Sequence, residues 1–197
     1  MTVLLALLVL WSLRYFVFGA EAYFPRQRQV YETHTLAILV DIGGMMVAAA
    51  VGPFQFLRSF RDRHRSLHRA TGRVFLTGAM IGGLGGLYMS FHSASGAASG
   101  IGFGLLAVAV LATGAMAFAA IKRGDVQTHR EWMTRCFSLI LAAVTLRLYL
   151  PFLEVAFGEY RGFAIVAWAC WVPNLVVAEW LIRARLRSAP ESRLATT

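Results

Sequence analysis

The sequence has few charged residues and few cysteines. Charged residues make up 15% of its 197 residues and hydrophobic residues 58%, whereas a soluble domain carries about 25% charged residues. The two cysteines, Cys136 and Cys170, lie in apolar runs at different predicted depths, which argues against a disulfide and leaves too few ligands for a metal site. Both are therefore predicted to be small core residues.

The motifs of soluble enzymes are also missing. No nucleophile–base pair, phosphate-binding loop or dinucleotide fingerprint is present, and the glycine-rich stretch GGLGG, residues 82–86, lies inside an apolar run rather than after a strand. We therefore expect neither a soluble-type enzyme nor catalytic residues.

What the sequence does contain is a series of six long apolar runs, each near the roughly 20 residues that a helix needs to cross a bilayer. This pattern predicts an all-α, polytopic membrane helix bundle with six transmembrane helices. It forms a single domain, residues 1–186, and is followed by a disordered tail, residues 187–197. The predicted helices are residues 2–19, 34–57, 71–91, 100–121, 133–153 and 162–183.

The first apolar run has some features of a signal peptide. FGAEA, residues 18–22, is similar to a cleavage site, but no positive charge precedes the apolar core MTVLLALLVLW. We therefore expect this run to be retained as a membrane helix.

Basic residues are divided unequally between alternate links, and this predicts the orientation. Fourteen of them lie within 58–73, 122–135 and 183–193, against three in the other links, namely Arg26, Arg28 and Arg161. Basic residues mark the cytoplasmic side of a membrane protein. Both termini are therefore predicted to be cytoplasmic, and the links 20–33, 92–99 and 154–161 to lie outside.

The net charge of +9 follows from this topology together with anionic lipid head groups, so no nucleic-acid partner is expected. The expected surroundings are the lipid bilayer and partner membrane proteins. Eighteen of the nineteen basic residues are arginine, which suggests a GC-rich bacterial genome and hence a bacterial inner membrane.

Three charged residues fall inside predicted helices at a similar depth: Asp41, Arg147 and Arg14. Asp41 lies seven residues into the second run, about 10 Å below the outer boundary, and Arg147 lies six residues before the end of the fifth, about 9 Å deep. Charged groups inside membranes usually face the bundle interior and pair with one another. We predict that Asp41 pairs with Arg147, Arg14 or both, although Arg14 could instead extend its guanidinium to the interface.

The histidines lie at the ends of the predicted helices and permit a haem hypothesis. His34 with His92 at the outer side, and His68 with His129 at the inner side, could each ligate the iron of a b-type haem. The small residues that a flat ring needs beside it are present in the second and third runs. They are Gly43, Gly44, Gly78, Gly82, Gly83, Gly85 and Gly86.

The alternative is that these residues need no cofactor. Gly78, Gly82 and Gly86 form a stripe of small residues that allows close helix packing, and interfacial histidines are common. No helix core holds a histidine, unlike the usual two-haem bundles. The pair His64 and His68 has only Asp62 nearby as a further ligand, so no metal site is predicted.

Two longer motifs resemble those of a known family. Residues 52–75 read GPFQFLRSFRDRHRSLHRATGRVF, with an HR-x-x-GR signature, and residues 129–151 read HREWMTRCFSLILAAVTLRLYLP, with HR-x-WM-x-R followed by TLRLYLP. Together they resemble a family of predicted bacterial multi-pass membrane proteins, a domain of unknown function, over about residues 34–183. The matching positions are Gln55, His68, Arg69, Gly72, Arg73, His129, Arg130, Trp132, Met133, Arg135, Arg147 and Tyr149. The resemblance implies an integral membrane protein and no particular activity; Asp41 is outside the signatures.

The inner signature residues suggest a cytoplasmic latch, defined by Arg69, Arg73, Arg130, Trp132 and Arg135. His68 and His129 would hydrogen-bond carbonyl groups of the opposite link, Trp132 would lie at head-group level, and the arginines would bind phosphates of lipid or of a partner.

Three function classes remain. The favoured one is a structural or accessory subunit of a larger membrane complex, without intrinsic catalysis. The first alternative is an electron-transfer module that binds b-type haem or a quinone, and the second is a transporter of a small solute or protons. The absence of an inverted repeat or broken helices argues against transport.

Overall fold

The computed structural model describes residues 2–187, apart from the side chains of Thr2, Leu4 and Arg26, and these residues are all-helical. Ten α-helices are present in this range, together with two short 3-10 turns, Gly19–Ala22 and Pro25–Gln27. The helices are α1 (Thr2–Ser12), α2 (Arg14–Val17), α3 (Arg28–Thr33), α4 (Thr35–Phe56), α5 (Arg58–Arg63), α6 (Arg65–Ser90), α7 (Ala97–Lys122), α8 (Val126–Ile140), α9 (Ala142–Ala169) and α10 (Val172–Arg187). The predicted tail lies outside the described residues, except for Arg187.

Four of the predicted helices correspond to α1 with α2, α4, α6 and α7. The polar links between them are more helical than the sequence indicates, because α3 fills much of the first link and α5 with the start of α6 fills the second. Short amphipathic or charged segments do not stand out in a search for apolar runs.

The last two predicted helices are divided differently. The chain from Val126 to Arg187 is almost continuously helical, with breaks at Leu141, at Gly158 and before Val172. Gly158 has φ +77°, in the left-handed region that favours glycine, and it lies in the predicted link 154–161. The break in helical geometry therefore falls where the sequence predicts a link.

Three helical segments are long and apolar enough to cross a membrane: Thr35–Phe56, Ala97–Lys122 and Val126–Arg187. A shorter apolar helix covers Leu5–Val17. α6 is not among these segments because its glycines and its basic first turns lower its hydropathy.

α4 and α6 make the most extensive contact in the bundle, and glycines create it. A Cβ added at Gly78 would lie 2.8 Å from the Gly44 carbonyl oxygen, and one at Gly85 would lie 2.6 Å from the backbone nitrogen of Asp41. These distances are too short for any side chain, so the two backbones touch. The packing interpretation of the glycine stripe holds for Gly78 and for Gly82, whose added Cβ would lie 2.8 Å from the Met45 backbone nitrogen, and it extends to Gly85.

The centre of the bundle is apolar, and its outside is apolar as well. Phe75 and Cys136 are fully buried in one cluster, and Cys170 is fully buried in another; both cysteines are free, as predicted. Large apolar side chains such as Val155, which is 90% exposed, cover the outer surface. A surface of this kind suits lipid rather than water as the solvent.

Candidate functional site

A cavity of about 220 Å³ lies at the centre of the bundle, and we call it the central cavity. Its walls are mostly aliphatic and aromatic, but polar groups line part of them. The polar lining is Ser12, Tyr15, Gln27, Tyr31, Asp41, Ser90, Ser93 and Arg147.

Asp41 reaches this cavity from α4, where it lies against a glycine of α6. A Cβ added at Gly86 would be 3.2 Å from the Asp41 carboxylate oxygen Oδ1. Because Gly86 has no side chain, the carboxylate has room between the two helices. Gly86 thus makes space for a polar group, whereas Gly78 and Gly85 make space for backbone.

Arg147 reaches the cavity from α9. One terminal guanidinium nitrogen donates to the Ala143 carbonyl at 2.8 Å, and the other donates to Ser12 Oγ at 3.3 Å. The third nitrogen, Nε, is buried without a hydrogen-bond partner in the described part of the chain. The guanidinium is therefore held in place by α1 and its own helix and still has an unused donor.

The structure places Asp41 and Arg147 on the same cavity, as their common depth suggests. Among the described residues, however, neither side chain forms an ion pair; the pairs present are Arg28–Glu32, Arg61–Asp62 and Arg135–Glu179. Direct pairing of Asp41 with Arg147 therefore stays a prediction.

Arg14, the third member of the predicted charge layer, does not line the central cavity. Its guanidinium carbon lies 4.4 Å from the ring centroid of Trp11 and 5.2 Å from that of Tyr15, both cation–π distances. The guanidinium therefore lies between the exposed ring of Trp11 and the buried ring of Tyr15, and its Nε is buried without a hydrogen-bond partner among the described residues.

Two polar residues of the cavity come from a link and were not recognised in the sequence. Gln27 is 3% exposed; its amide nitrogen donates to Ser95 Oγ at 3.2 Å and its amide oxygen accepts from the Ala94 N–H at 3.3 Å. Tyr31 packs edge-to-face on Tyr23, with ring centroids 5.4 Å apart. The link 20–33 thus folds over the cavity and is fastened to the link 92–99.

His34 and His92 come together at this end of the bundle. Their ring centroids are 4.1 Å apart, His34 Nδ1 is 3.1 Å from the Tyr88 hydroxyl, and His92 Nδ1 is 3.0 Å from the Tyr88 carbonyl oxygen. The rings are in direct contact, so a haem plane between them would require them to move apart. Haem ligation by His34 and His92 therefore stays a prediction, and it requires the two rings to separate.

A second, larger cavity of about 1520 Å³ lies at the other end, and we call it the basic cavity. Both His68 and His129 line it, as do two acidic side chains, Asp62 and Glu131. Its basic lining is Arg58, Arg61, Arg65, Arg69, Arg73, Lys122, Arg130 and Arg185. Eight of the fourteen basic residues that the sequence assigns to the inner side therefore line a common space.

The signature motifs form the walls of the basic cavity. Gln55 donates from its amide nitrogen to Thr71 Oγ1 at 2.7 Å, and a Cβ at Gly72 would lie 3.1 Å from the Gln55 amide oxygen. His129 Nδ1 lies 2.8 Å from the Ala117 carbonyl oxygen of α7, which joins the second motif to a neighbouring helix. The latch hypothesis expects a carbonyl of the opposite link, 58–73, as the partner, so the latch stays a prediction.

The predicted latch residues divide into two groups. Arg135 binds Glu179 with two hydrogen bonds, one of 3.1 Å, and its guanidinium carbon lies 4.5 Å from the Trp132 ring centroid. Arg69, Arg73 and Arg130 are exposed, line the basic cavity and form no ion pair with any described residue. Of the four latch arginines, these three have no acidic partner among the described residues.

His68 has the most unusual surroundings of the inner histidines. Its Nδ1 is buried and has no hydrogen-bond partner among residues 2–187. Burial lowers the pKa of His68 from its ordinary value of 6.5, and the positive charges of Arg61 and Arg130 and the neighbouring His129 lower it further. The described residues contain no cluster of three or more potential metal ligands.

One family model matches the chain: residues 38–182 match the model described as "Predicted membrane protein (DUF2306)". This range includes both signature motifs and Asp41, and the match confirms the resemblance found in the sequence. No curated protein and no solved structure matches the chain.

Proposed function

The chain belongs to the DUF2306 family of predicted membrane proteins, and we propose that it is a multi-pass protein of the bacterial inner membrane that binds a small, net-neutral amphiphile in its central cavity. In this proposal the chain acts as an accessory subunit of a larger membrane complex, and its contribution is binding rather than catalysis. The observation that carries the proposal is the set of polar groups around a partly open, mostly apolar cavity.

The proposed topology has six membrane-spanning segments and both termini in the cytoplasm. Its support is the division of basic residues between alternate links and the position of the Gly158 break. The basic cavity contains the end of α4, the start of α6, the α7–α8 connection and the end of α10, as helices of alternating direction require. The end closed by Gln27 and Ser95 would then face outward.

The lining of the central cavity indicates the class of ligand. One carboxylate, Asp41, and one guanidinium, Arg147, balance each other in charge, so a ligand with a net charge would upset that balance in a low-dielectric site. Arg147 and the tyrosine hydroxyls can donate hydrogen bonds, and Asp41 can accept them. The aliphatic walls suit an apolar body.

A quinone–quinol head group meets these requirements. Quinone carbonyl oxygens accept hydrogen bonds from a guanidinium or a tyrosine hydroxyl, and quinol hydroxyls donate to a carboxylate. Both forms are neutral and dissolve in the bilayer. We therefore take a quinone as the ligand to test first.

The test is a thermal titration of the purified chain in neutral detergent with a short-chain ubiquinone. A bound ligand raises the melting midpoint in proportion to the logarithm of its concentration above Kd. We expect this rise in the wild type and its loss in Arg147→Gln and in Asp41→Asn. The matched controls are Arg161→Gln, an exposed arginine of the same helix, and Glu21→Gln, an exposed acid near the same end.

The proposal is wrong if the wild type shows no rise and if organic extraction of freshly purified protein yields no stoichiometric neutral amphiphile. An equal loss of binding in the control variants would assign the effect to overall charge rather than to the cavity.

A second candidate is transport of protons or a small solute, and one observation favours it. Asp41 lines a cavity and has no ion pair among the described residues, and carboxylates in such positions serve proton relays. A proteoliposome assay with an internal pH-sensitive dye separates the candidates, because only a transporter produces an Asp41-dependent pH change across the membrane.

A further inference from the structure

The basic cavity has a large excess of positive charge over negative charge. Eight arginine and lysine side chains line it, against the carboxylates of Asp62 and Glu131. Asp62 already receives a hydrogen bond from Arg61 at 3.1 Å, and Glu131 accepts one from the Gln127 amide at 2.8 Å. The acids therefore do not neutralise the arginines of the opposite walls.

Two basic side chains outside the basic cavity have acidic partners in the described chain, and Arg61 on its lining pairs with Asp62. Arg28 pairs with Glu32 at 2.8 Å, and Arg135 pairs with Glu179. In the basic cavity, by contrast, Arg69, Arg73 and Arg130 come from two different helices, α6 and α8, and form no ion pair with any described residue. Like charges that converge from separate helices repel one another unless an anion lies between them.

Membrane topology alone does not account for this arrangement. The preference for basic residues on the cytoplasmic side places them in the links but does not make them converge. Arg63, Arg123 and Arg183 belong to the same links and helices yet do not line the cavity. The convergence is thus a property of a subset of the arginines.

The walls around these arginines are fixed by specific contacts. The Gln55–Thr71 hydrogen bond ties the end of α4 to α6, and the contact between His129 and the Ala117 carbonyl ties α8 to α7. His68, on the same lining, keeps a buried Nδ1 without a partner among the described residues. A site with fixed walls, unpaired guanidinium groups and an unused polar nitrogen suits an anion with several oxygen acceptors.

We propose that the basic cavity binds a phosphate-bearing anion of at least two negative charges through Arg69, Arg73 and Arg130. Guanidinium groups bind phosphate oxygens through paired hydrogen bonds. The same chemistry is available from an anionic lipid head group of the adjacent leaflet or from a soluble organic diphosphate, and basic pockets between helices are known lipid sites. This inference concerns a different cavity from the proposed function and does not depend on it.

The first arm of the experiment uses a soluble probe. Purified full-length protein in neutral detergent is titrated with inorganic pyrophosphate by calorimetry. We expect saturable one-to-one binding that weakens by about tenfold for each arginine removed in Arg69→Gln and Arg130→Gln, because each substitution removes a charge-assisted hydrogen bond. Both side chains are exposed, so the variants should fold, and thermal melting in the absence of pyrophosphate checks this.

The second arm identifies the source of the phosphate. The protein is placed in nanodiscs of phosphatidylcholine alone or with cardiolipin added, and the titration is repeated. Weaker pyrophosphate binding in cardiolipin discs, or arginine-dependent binding of cardiolipin alone, assigns the site to the lipid head group. Pyrophosphate binding that cardiolipin does not alter assigns it to a soluble anion.

The control variants are Arg63→Gln and Arg183→Gln, which remove one positive charge each outside the cavity lining. They should bind within about twofold of the wild type, because exposed charges at a distance are screened. The proposal is overturned if the controls lose as much affinity as the cavity variants, or if neither pyrophosphate nor cardiolipin binds.

Discussion

The two cavities of the helix bundle are built in opposite ways. Near the central cavity α4 and α6 touch through glycines, Arg147 donates to Ser12 and Gln27 donates to Ser95, and the cavity volume is about 220 Å³. At the basic cavity Arg69, Arg73 and Arg130 form no ion pair with any described residue, and the space is about 1520 Å³. Buried polar groups need partners, whereas exposed charges are solvated. Close helix packing therefore determines the structure around the central cavity, and net charge determines the properties of the basic cavity.

The largest expected effect tests whether the close α4–α6 packing near the central cavity stabilises the protein. In Gly44→Ala the new Cβ would lie 2.7 Å from the Gly78 carbonyl oxygen and would also meet the Gly82 backbone, so α4 and α6 must separate. We expect destabilisation of about 3 kcal/mol, at the upper end for overpacking because backbone cannot move aside. Unfolding in detergent or lipid mixtures measures it.

The matched control is its neighbour, Gly43→Ala. Its Cβ would meet only the flexible Phe16 ring at 3.4 Å, so it should be neutral or slightly stabilising. Equal effects of the two substitutions would show that the α4–α6 contact does not hold this end together.

The next effect concerns the two opposite charges of the central cavity. Asp41→Asn and Arg147→Gln should each destabilise the protein, because each leaves one uncompensated charge in a low-dielectric interior. The double variant should be less damaged than the sum, with a coupling energy of about 1–3 kcal/mol. A double-mutant cycle of unfolding free energies measures this.

An additive cycle would mean that the two side chains do not interact electrostatically. It would also contradict the balance of charge from which a net-neutral ligand is inferred, since each charge would then be compensated separately.

A smaller effect is expected at the link that closes the central cavity. Gln27→Ala removes two hydrogen bonds and leaves Ser95, which is 1% exposed, without its donor, at a cost of about 1–2 kcal/mol. Gln29→Ala, an exposed glutamine two residues later, is the control and should be neutral. Proteolysis of the link 20–33 should accelerate only in Gln27→Ala, and equal rates would indicate that the link does not depend on this contact.

Sequence reasoning reached the helical class, the family and the depth of Asp41 and Arg147, because hydropathy and spacing report position along a helix. It did not reach the partner of each side chain, since that depends on the rotation of each helix about its axis. The Arg135–Glu179 pair and the Gln55–Thr71 hydrogen bond join residues far apart in sequence or across a turn. Gln27 was missed because a polar link gives no sign that it folds back over the bundle.

The smallest expected effect concerns the basic cavity. It tests whether the surroundings of His68 make the stability of the protein depend on pH. His68 faces Arg61 of α5 and both His129 and Arg130 of α8, and these neighbours together with burial hold its pKa below 6.5. As the pH falls below 6.5, the unfolded chain takes up a proton at this position before the folded protein does, so stability falls with pH. His68→Asn should reduce the drop in melting midpoint between pH 7.5 and 5.5 by on the order of 1 °C, since the group is partly solvated.

His64→Asn, an exposed histidine outside the cavity, is the control and should leave the drop unchanged. Saturating pyrophosphate should also reduce the drop, because a bound anion favours the protonated imidazole. A drop that is identical in the wild type and both variants would mean that neither burial nor the positive charges around the basic cavity lower the pKa of His68.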